Sequence, residues 1–216
     1  MRSAWWKIFR CFVYFGIGSW ARLCRRNFFR VIQAPSDFGP QLVIENFQDK
    51  NPSCVAEIRH TYFEDFETLE KFDVIVMGFV LERVDDPVPL IQRFSKFLSP
   101  TGVMYISVPN AAAMNRRLVN IMGVLKDVTD LSEHDAFLGH QRYYTVESLR
   151  GDVETAGLCI AKLEGIYLKP FTTDQMLSLN LSSDVIQVLC VLGVEYPELS
   201  CGLLAEVVNP ERIFER

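Results

Sequence analysis

The run Phe72-Asp73-Val74-Ile75-Val76-Met77 constrains this chain more than any other stretch. Its β-branched content is too continuous for a half-exposed strand, so it is expected to be buried on both faces. Asp86-Pro87 then opens a helix, with proline in the first turn, where a missing N–H leaves no bond unmade. Val88, Leu90, Ile91, Phe94 and Leu98 fall on one face of that helix. Ser99-Pro100-Thr101-Gly102 stops it, and Val103 to Val108 gives a second buried strand closed by Pro109-Asn110. Strand, helix and strand in about forty residues make a βαβ unit, which commits the chain to a parallel sheet.

The rest of the body follows the same alternation. Leu42-Val43-Ile44 is a short apolar run ending in Glu45, and Val55 to Tyr62 reads as another strand. Ala111 to Leu138 is partly helical and irregular, an excursion from the core pattern. Thr145 caps a helix that Gly157 ends, and Leu158 to Leu163 is the next strand. Ser183 or Asp184 caps an apolar helix through Leu192, and Leu203 to Val208 is the last strand. The expected fold is an α/β sheet with a late antiparallel strand. There are no internal repeats.

Charge divides the chain in two. The first thirty residues hold seven basic side chains, no acid, and an uncharged aromatic-rich run of eleven residues, Cys11 to Ala21. A spanning helix needs about 20 apolar residues, so this run is too short to cross a bilayer. Three readings stand open: a helix lying on an anionic membrane surface, an ordinary amphipathic helix covering the domain, or a replaced N-terminus. The remainder carries fifteen basic against twenty-seven acidic side chains, which repels phosphate backbones and excludes a nucleic-acid-binding core. Residues 1–40 are therefore expected to form a basic aromatic segment and residues 41–216 the folded domain. Six scattered cysteines without a C-x-x-C, and only three histidines, exclude a zinc finger and suit reduced thiols. The expected location is the cytoplasm, with membrane contact through residues 1–30 left open.

The segment Phe72 to Pro87, with Val80-Leu81-Glu82-Arg83-Val84-Asp85-Asp86-Pro87 at its end, resembles the middle of a class I S-adenosylmethionine-dependent methyltransferase. That family reads as a buried strand, then "VLEHVDDP", then a helix ending "L-x-P-G-G" before the next strand. Leu98-Ser99-Pro100-Thr101-Gly102 and Tyr105 to Asn110 continue the likeness in order. Gly139-His140-Gln141-Arg142-Tyr143-Tyr144-Thr145 with Leu149 is similar to the family's "GH-x-R-Y-Y-T-x-E-x-L". Gly165 to Pro170 and Gln175-Met176 resemble a branch of bacterial-type small-molecule and glycan methyltransferases. The likeness covers about residues 41 to 208 and implies a Rossmann-like methyltransferase sheet, incomplete on its N-terminal side.

The resemblance implies S-adenosylmethionine as cofactor and a small-molecule or glycan acceptor. In such a sheet, ligands lie outside the carboxyl ends of the strands. Glu45 is then placed to accept hydrogen bonds from the ribose, or is a solvated acid at a strand end. Tyr62 and Phe63 fall where an aromatic ring stacks on adenine. Gly78, Phe79 and Val80 fall near the methionyl end, although Phe79 and Val80 serve equally as core packing. Among the histidines, His60 lies in a strand-like segment, while His134 and His140 lie where the family faces its substrate. His140 is the candidate base, or a structural imidazole bonded to a backbone carbonyl. Tyr143 and Tyr144 line a substrate pocket or pack.

Two departures bear on function. The family's Gly-x-Gly-x-Gly turn ahead of the ribose acid has no counterpart here. Gly16-Ile17-Gly18 lies 27 residues before Glu45, where the family spacing is nearer twenty, and no acid precedes it. Arg83 stands where the family usually has His, a position expected to face the helix start and tune the pocket rim. Two functions remain: a methyltransferase whose N-terminal lobe has diverged or is supplied in some other way, or an inactive methyltransferase-like remnant that serves in binding or has no activity.

Overall fold

The computed structural model describes residues 62–213. Of these, residues 70–213 belong to one compact unit and residues 62–69 to another. In the second unit Phe63–Asp65 make a single 3₁₀ turn headed by Tyr62, whose backbone is extended. The expectations on residues 1–40, on the strands at Leu42 and Val55, and on Glu45 and His60 lie outside the described residues. So does any N-terminal part of the sheet.

The larger unit is built on four strands: β1 (Phe72–Gly78), β2 (Leu98–Pro109), β3 (Cys159–Ile166) and β4 (Gly202–Val208). Their spatial order is β1-β2-β4-β3, with β1 parallel to β2 and β4 antiparallel to both its neighbours. The last strand thus inserts between two that run the same way. Helix α1 (Pro87–Ser95) makes the crossover from β1 to β2, as the βαβ reading requires. Asp86 caps it by accepting from the Val88 N–H, proline follows at the first position, and Leu90, Ile91 and Phe94 are buried. The apolar stripe ends at Phe94, because Leu98 already belongs to β2.

β2 is buried on both faces: Met104, Ile106 and Val108 are inaccessible, and Val103 and Ser107 on the other face are buried. β1 is not, which corrects the reading from composition. Met77 is buried but Val76, on the opposite face, is 51% exposed. β-branched content reports a preference for the pleat; which faces are covered is decided by the elements that pack there. Among the described strands, β1 is paired on one side only, to β2.

The excursion after β2 contains α2 (Met114–Ile121) and the short α3 (Glu133–Phe137), and α4 (Val146–Thr155) follows. Thr145 caps α4 in a reciprocal box with the Ser148 hydroxyl. Gly157, at φ 83°, ends it in a Schellman turn, its N–H bonding to Glu154 O and that of Leu158 to Val153 O. Then come α5 (Thr173–Ser178) and α6 (Ser183–Glu195), the latter capped by Ser182 rather than by Ser183 or Asp184.

Helix α6 packs on β3 at a backbone-to-backbone approach. A Cβ on Gly165 would stand 2.2 Å from Gly193 O and 2.5 Å from Ser200 Oγ. Neither neighbour can retreat, since Ser200 Oγ already lies 2.9 Å from both Gly193 O and Tyr196 O. Gly165→Ala is therefore expected to destabilise the fold by about 3 kcal/mol or more. Gly151→Ala, at an exposed position of α4 with nothing within 4 Å, should instead stabilise by about 0.5–1 kcal/mol. Urea denaturation of the two variants beside the parent chain tests the contrast.

Candidate active site

The carboxyl ends of β1 and β2 carry the titratable groups. After β1 the chain turns sharply at Phe79, a non-glycine residue at φ 56°, whose N–H is held by Ser107 O at 2.8 Å. Gly78 is exposed and Phe79 and Val80 are half-buried. The 3₁₀ turn Leu81–Arg83 then buries Leu81 and Glu82 completely. After β2, Asn110 forms a parallel bridge with Tyr144, so the segment from Leu138 to Tyr144 lies along this end of the sheet.

That segment is laid across the Glu82 turn by polar contacts. Gln141 N–H donates to Glu82 O at 2.7 Å, and its side-chain amide donates to Arg83 O and to Asp85 Oδ1. Arg142 donates to Asp85 O at 2.8 Å. His140 is delivered by the end of α3: Gly139 at φ 76° forms a Schellman turn, and His140 N–H bonds back to Asp135 O at 2.9 Å. Sequence reasoning singled out His140, and the fold places it at the strand ends with only 11% of its side chain exposed.

Around the imidazole stand two acids and one guanidinium. Glu82 Oε1 is 4.0 Å from Nε2, and Asp135 Oδ1 is 4.0 Å from Nδ1. Arg83 Nη2 lies 3.4 Å from Nε2, its Nη1 donates to Leu138 O at 2.5 Å, and its Nε is 3.5 Å from Glu82 Oε1. Arg83 therefore spans Glu82 and His140 instead of facing the helix start. Burial, then the Arg83 charge, holds the His140 pKa below its ordinary value, so the ring is neutral at pH 7.

Both oxygens of Asp135 accept hydrogen bonds. Its Oδ2 accepts from the Ser132 N–H and hydroxyl, and its Oδ1 from the Tyr143 phenol at 2.9 Å. Burial works to raise its pKa, but these bonds and the charge of Arg116 bring it below the usual carboxylate value. Arg116 stacks 3.7 Å over the Tyr143 ring and donates to Val128 O and Asp130 O, tying α2 to the same cluster. Tyr144 donates to Asp152 Oδ2 at 3.0 Å and is otherwise core. Tyr143 and Tyr144 both have pKa values pushed up, first by burial and then by their acidic partners.

Glu82, Asp135 and Arg116 were given no role from sequence. Ser132-Glu133-His134-Asp135 carries the capping-box spacing that would have flagged Asp135. An acid between Leu81 and Arg83 in an otherwise apolar turn was the signal for Glu82. His134 is exposed on α3, near enough for its charge to oppose protonation of His140. Tyr62, 65% exposed, and Phe63 fall in the other compact unit.

A family model described as a methyltransferase domain matches residues 16–163. The chain belongs to that family. Among curated proteins it is similar to the ubiquinone biosynthesis O-methyltransferase of Colwellia psychrerythraea (strain 34H), 32% identical over 121 residues, 55% of this chain and 46% of that protein. The protein of the same name from Actinobacillus pleuropneumoniae serotype 7 is 29% identical over 151 residues, 69% of this chain and 57% of that one. The chain spans about half the length of the curated relatives it matches. A solved S-adenosylmethionine-dependent methyltransferase from Mesorhizobium loti superposes with a TM-score of 0.54 at 14% identity, over 88% of this chain and 83% of that one. The [4+2]-cyclase SpnF does so with a TM-score of 0.54 at 13% identity, over 88% and 70%. These superpositions establish the Rossmann-like methyltransferase fold, and the second shows that the fold alone does not fix the reaction.

Burial lifts the Glu82 pKa from its ordinary 4.5 to about 7, against the opposing pull of its own backbone hydrogen bond and of Arg83. A carboxyl raised in this way contributes stability that is fully present below pH 4.5 and is lost as the pH rises through 7. Glu82→Gln keeps the shape and removes the charge. Its stability relative to the parent should therefore improve from pH 5 to pH 8 by roughly 2–3 kcal/mol. Urea melts at the two pH values measure this, and an equal difference at both would show that Glu82 is ionised throughout.

Proposed function

We propose that this chain is a methyltransferase that takes its methyl group from S-adenosylmethionine and passes it to a hydroxyl of a small-molecule acceptor. The observation that carries the reading is His140, a neutral, enclosed imidazole held at the carboxyl ends of β1 and β2 in a chain of the methyltransferase-domain family. The names of the curated relatives favour an oxygen acceptor. A glycan hydroxyl is a narrower version of the same reading.

The open strand end fits the methionyl part of the cofactor. Gly78 is exposed, and its ideal Cβ would meet nothing closer than Ser107 Oγ at 3.7 Å. Phe79, held in a left-handed turn, and Val80 carry the chain away from that edge. Glu45 would accept from the ribose hydroxyls, and Tyr62 or Phe63 would stack on adenine. When bound, the cofactor supplies an electrophilic methyl on a sulfonium. His140, with only 11% of its side chain exposed, would take the acceptor's hydroxyl proton.

Calorimetry with S-adenosylmethionine tests the cofactor directly, with micromolar affinity expected. Glu45→Gln replaces a charged acceptor by a neutral one, so affinity should fall roughly ten- to a hundredfold. His140→Ala should leave that affinity unchanged while turnover falls by roughly 10²- to 10⁴-fold. The missing glycine turn favours the second reading, an inactive methyltransferase-like remnant that serves in other binding or has no activity. Absence of heat at millimolar cofactor would select it.

A further inference from the structure

Within the cluster, Glu82 is the group whose placement the fold does not account for. Its side chain is wholly buried, yet neither carboxyl oxygen has a hydrogen-bond partner. The turn needs only its backbone carbonyl, which Gln141 N–H satisfies. An unsatisfied buried carboxyl is costly, and a glutamine or leucine of similar size would avoid the charge. What the carboxyl does have is position: Oε1 stands 3.5 Å from Arg83 Nε and 4.0 Å from His140 Nε2.

On the ring edge that Glu82 faces, Nε2 already meets Arg83 Nη2 at 3.4 Å. His140 Nδ1 is buried without a hydrogen bond, and the acid on that side, Asp135, has both oxygens taken by Ser132 and Tyr143. Of the two acids facing the ring, only Glu82 accepts no hydrogen bond at either oxygen. A displacement of about 1 Å would bring its oxygen within hydrogen-bond distance of Nε2.

We propose that Glu82 is a positioning residue that acts through His140, sharing a proton with Nε2 and balancing the charge the ring gains as a base. This rests on the reading of His140 as the base. In the step itself the acceptor's O–H bond breaks and its proton goes to the imidazole. The oxygen–carbon bond forms as the carbon–sulfur bond breaks, with the electron pair going to sulfur and leaving a neutral thioether. The Glu82 carboxylate offsets the imidazolium, and the proton leaves to solvent when the site opens. Arg83 from the Glu82 turn, Asp135 and His134 from α3, and Arg116 beyond Tyr143 are the other charged or titratable groups facing the pair. Because the two groups couple, their protons come off as a pair rather than singly.

Side-chain NMR on the full chain without cofactor or acceptor tests the pairing, so its outcome is separate from whether the chain methylates anything. The Glu82 carboxyl carbon is expected to titrate near neutrality, with the same inflection visible on the His140 ring. Glu82→Gln should remove that shared inflection and lower the His140 midpoint by roughly one unit. A His140 curve that superposes on the parent's in Glu82→Gln overturns the proposal. If that variant does not fold, the parent chain decides: a Glu82 carboxyl already ionised at pH 5, or a ring curve without the common inflection, overturns it equally.

Discussion

Asn110 holds the working end of this molecule together. It is fully buried at the end of β2, and its amide donates to Pro197 O at 3.1 Å and Ser200 O at 2.8 Å while its oxygen accepts from Ala112 N–H. Its backbone N–H bonds to Cys201 O, and the residue bridges to Tyr144. One residue thus joins β2 to the approach of β4 through its side chain and to the segment that carries His140 through its backbone. Each such bond contributes about 1 kcal/mol net, but losing the amide would strand two buried carbonyls, which costs more than the bonds contribute. The geometry at His140 follows from this anchor, since Tyr144 is four residues away along the same short segment.

Much of the fold was legible because its signals are local. Asp86-Pro87 wrote the start of α1, Thr145 and Gly157 wrote both ends of α4, and the continuous apolar run of β2 wrote its double burial. What failed was non-local. The composition of β1 could not say which of its faces would be covered, and Val76 turned out open. The cap of α6 moved to Ser182 because three neighbouring polar residues offer the same chemistry and backbone geometry chooses among them.

The site was half legible for a related reason. His140 stands out in any sequence as a titratable ring beside a glycine. Glu82 and Asp135 gain their character from folding, one by losing water without gaining a partner, the other by collecting donors from Ser132 and Tyr143. Arg83 shows the same point from the opposite side. Read as a departure from a family pattern it suggested a loss, whereas in the fold its guanidinium reaches Leu138 O and the imidazole edge. A cation there opposes protonation of His140, so the residue sets the ring's charge state rather than merely the shape of the rim.

The insertion of β4 between β2 and β3 has a consequence for how the chain is made. β1, α1 and β2 are contiguous in sequence and can associate as soon as they leave the ribosome. Among the described strands, the one neighbour of β3 in the sheet is β4, more than thirty residues further along the chain, so β3 must wait for it. Until Gly202 to Val208 emerge, one edge of β2 and all of β3 present unpaired backbone, and the assembling chain is most open to pairing with another copy of itself.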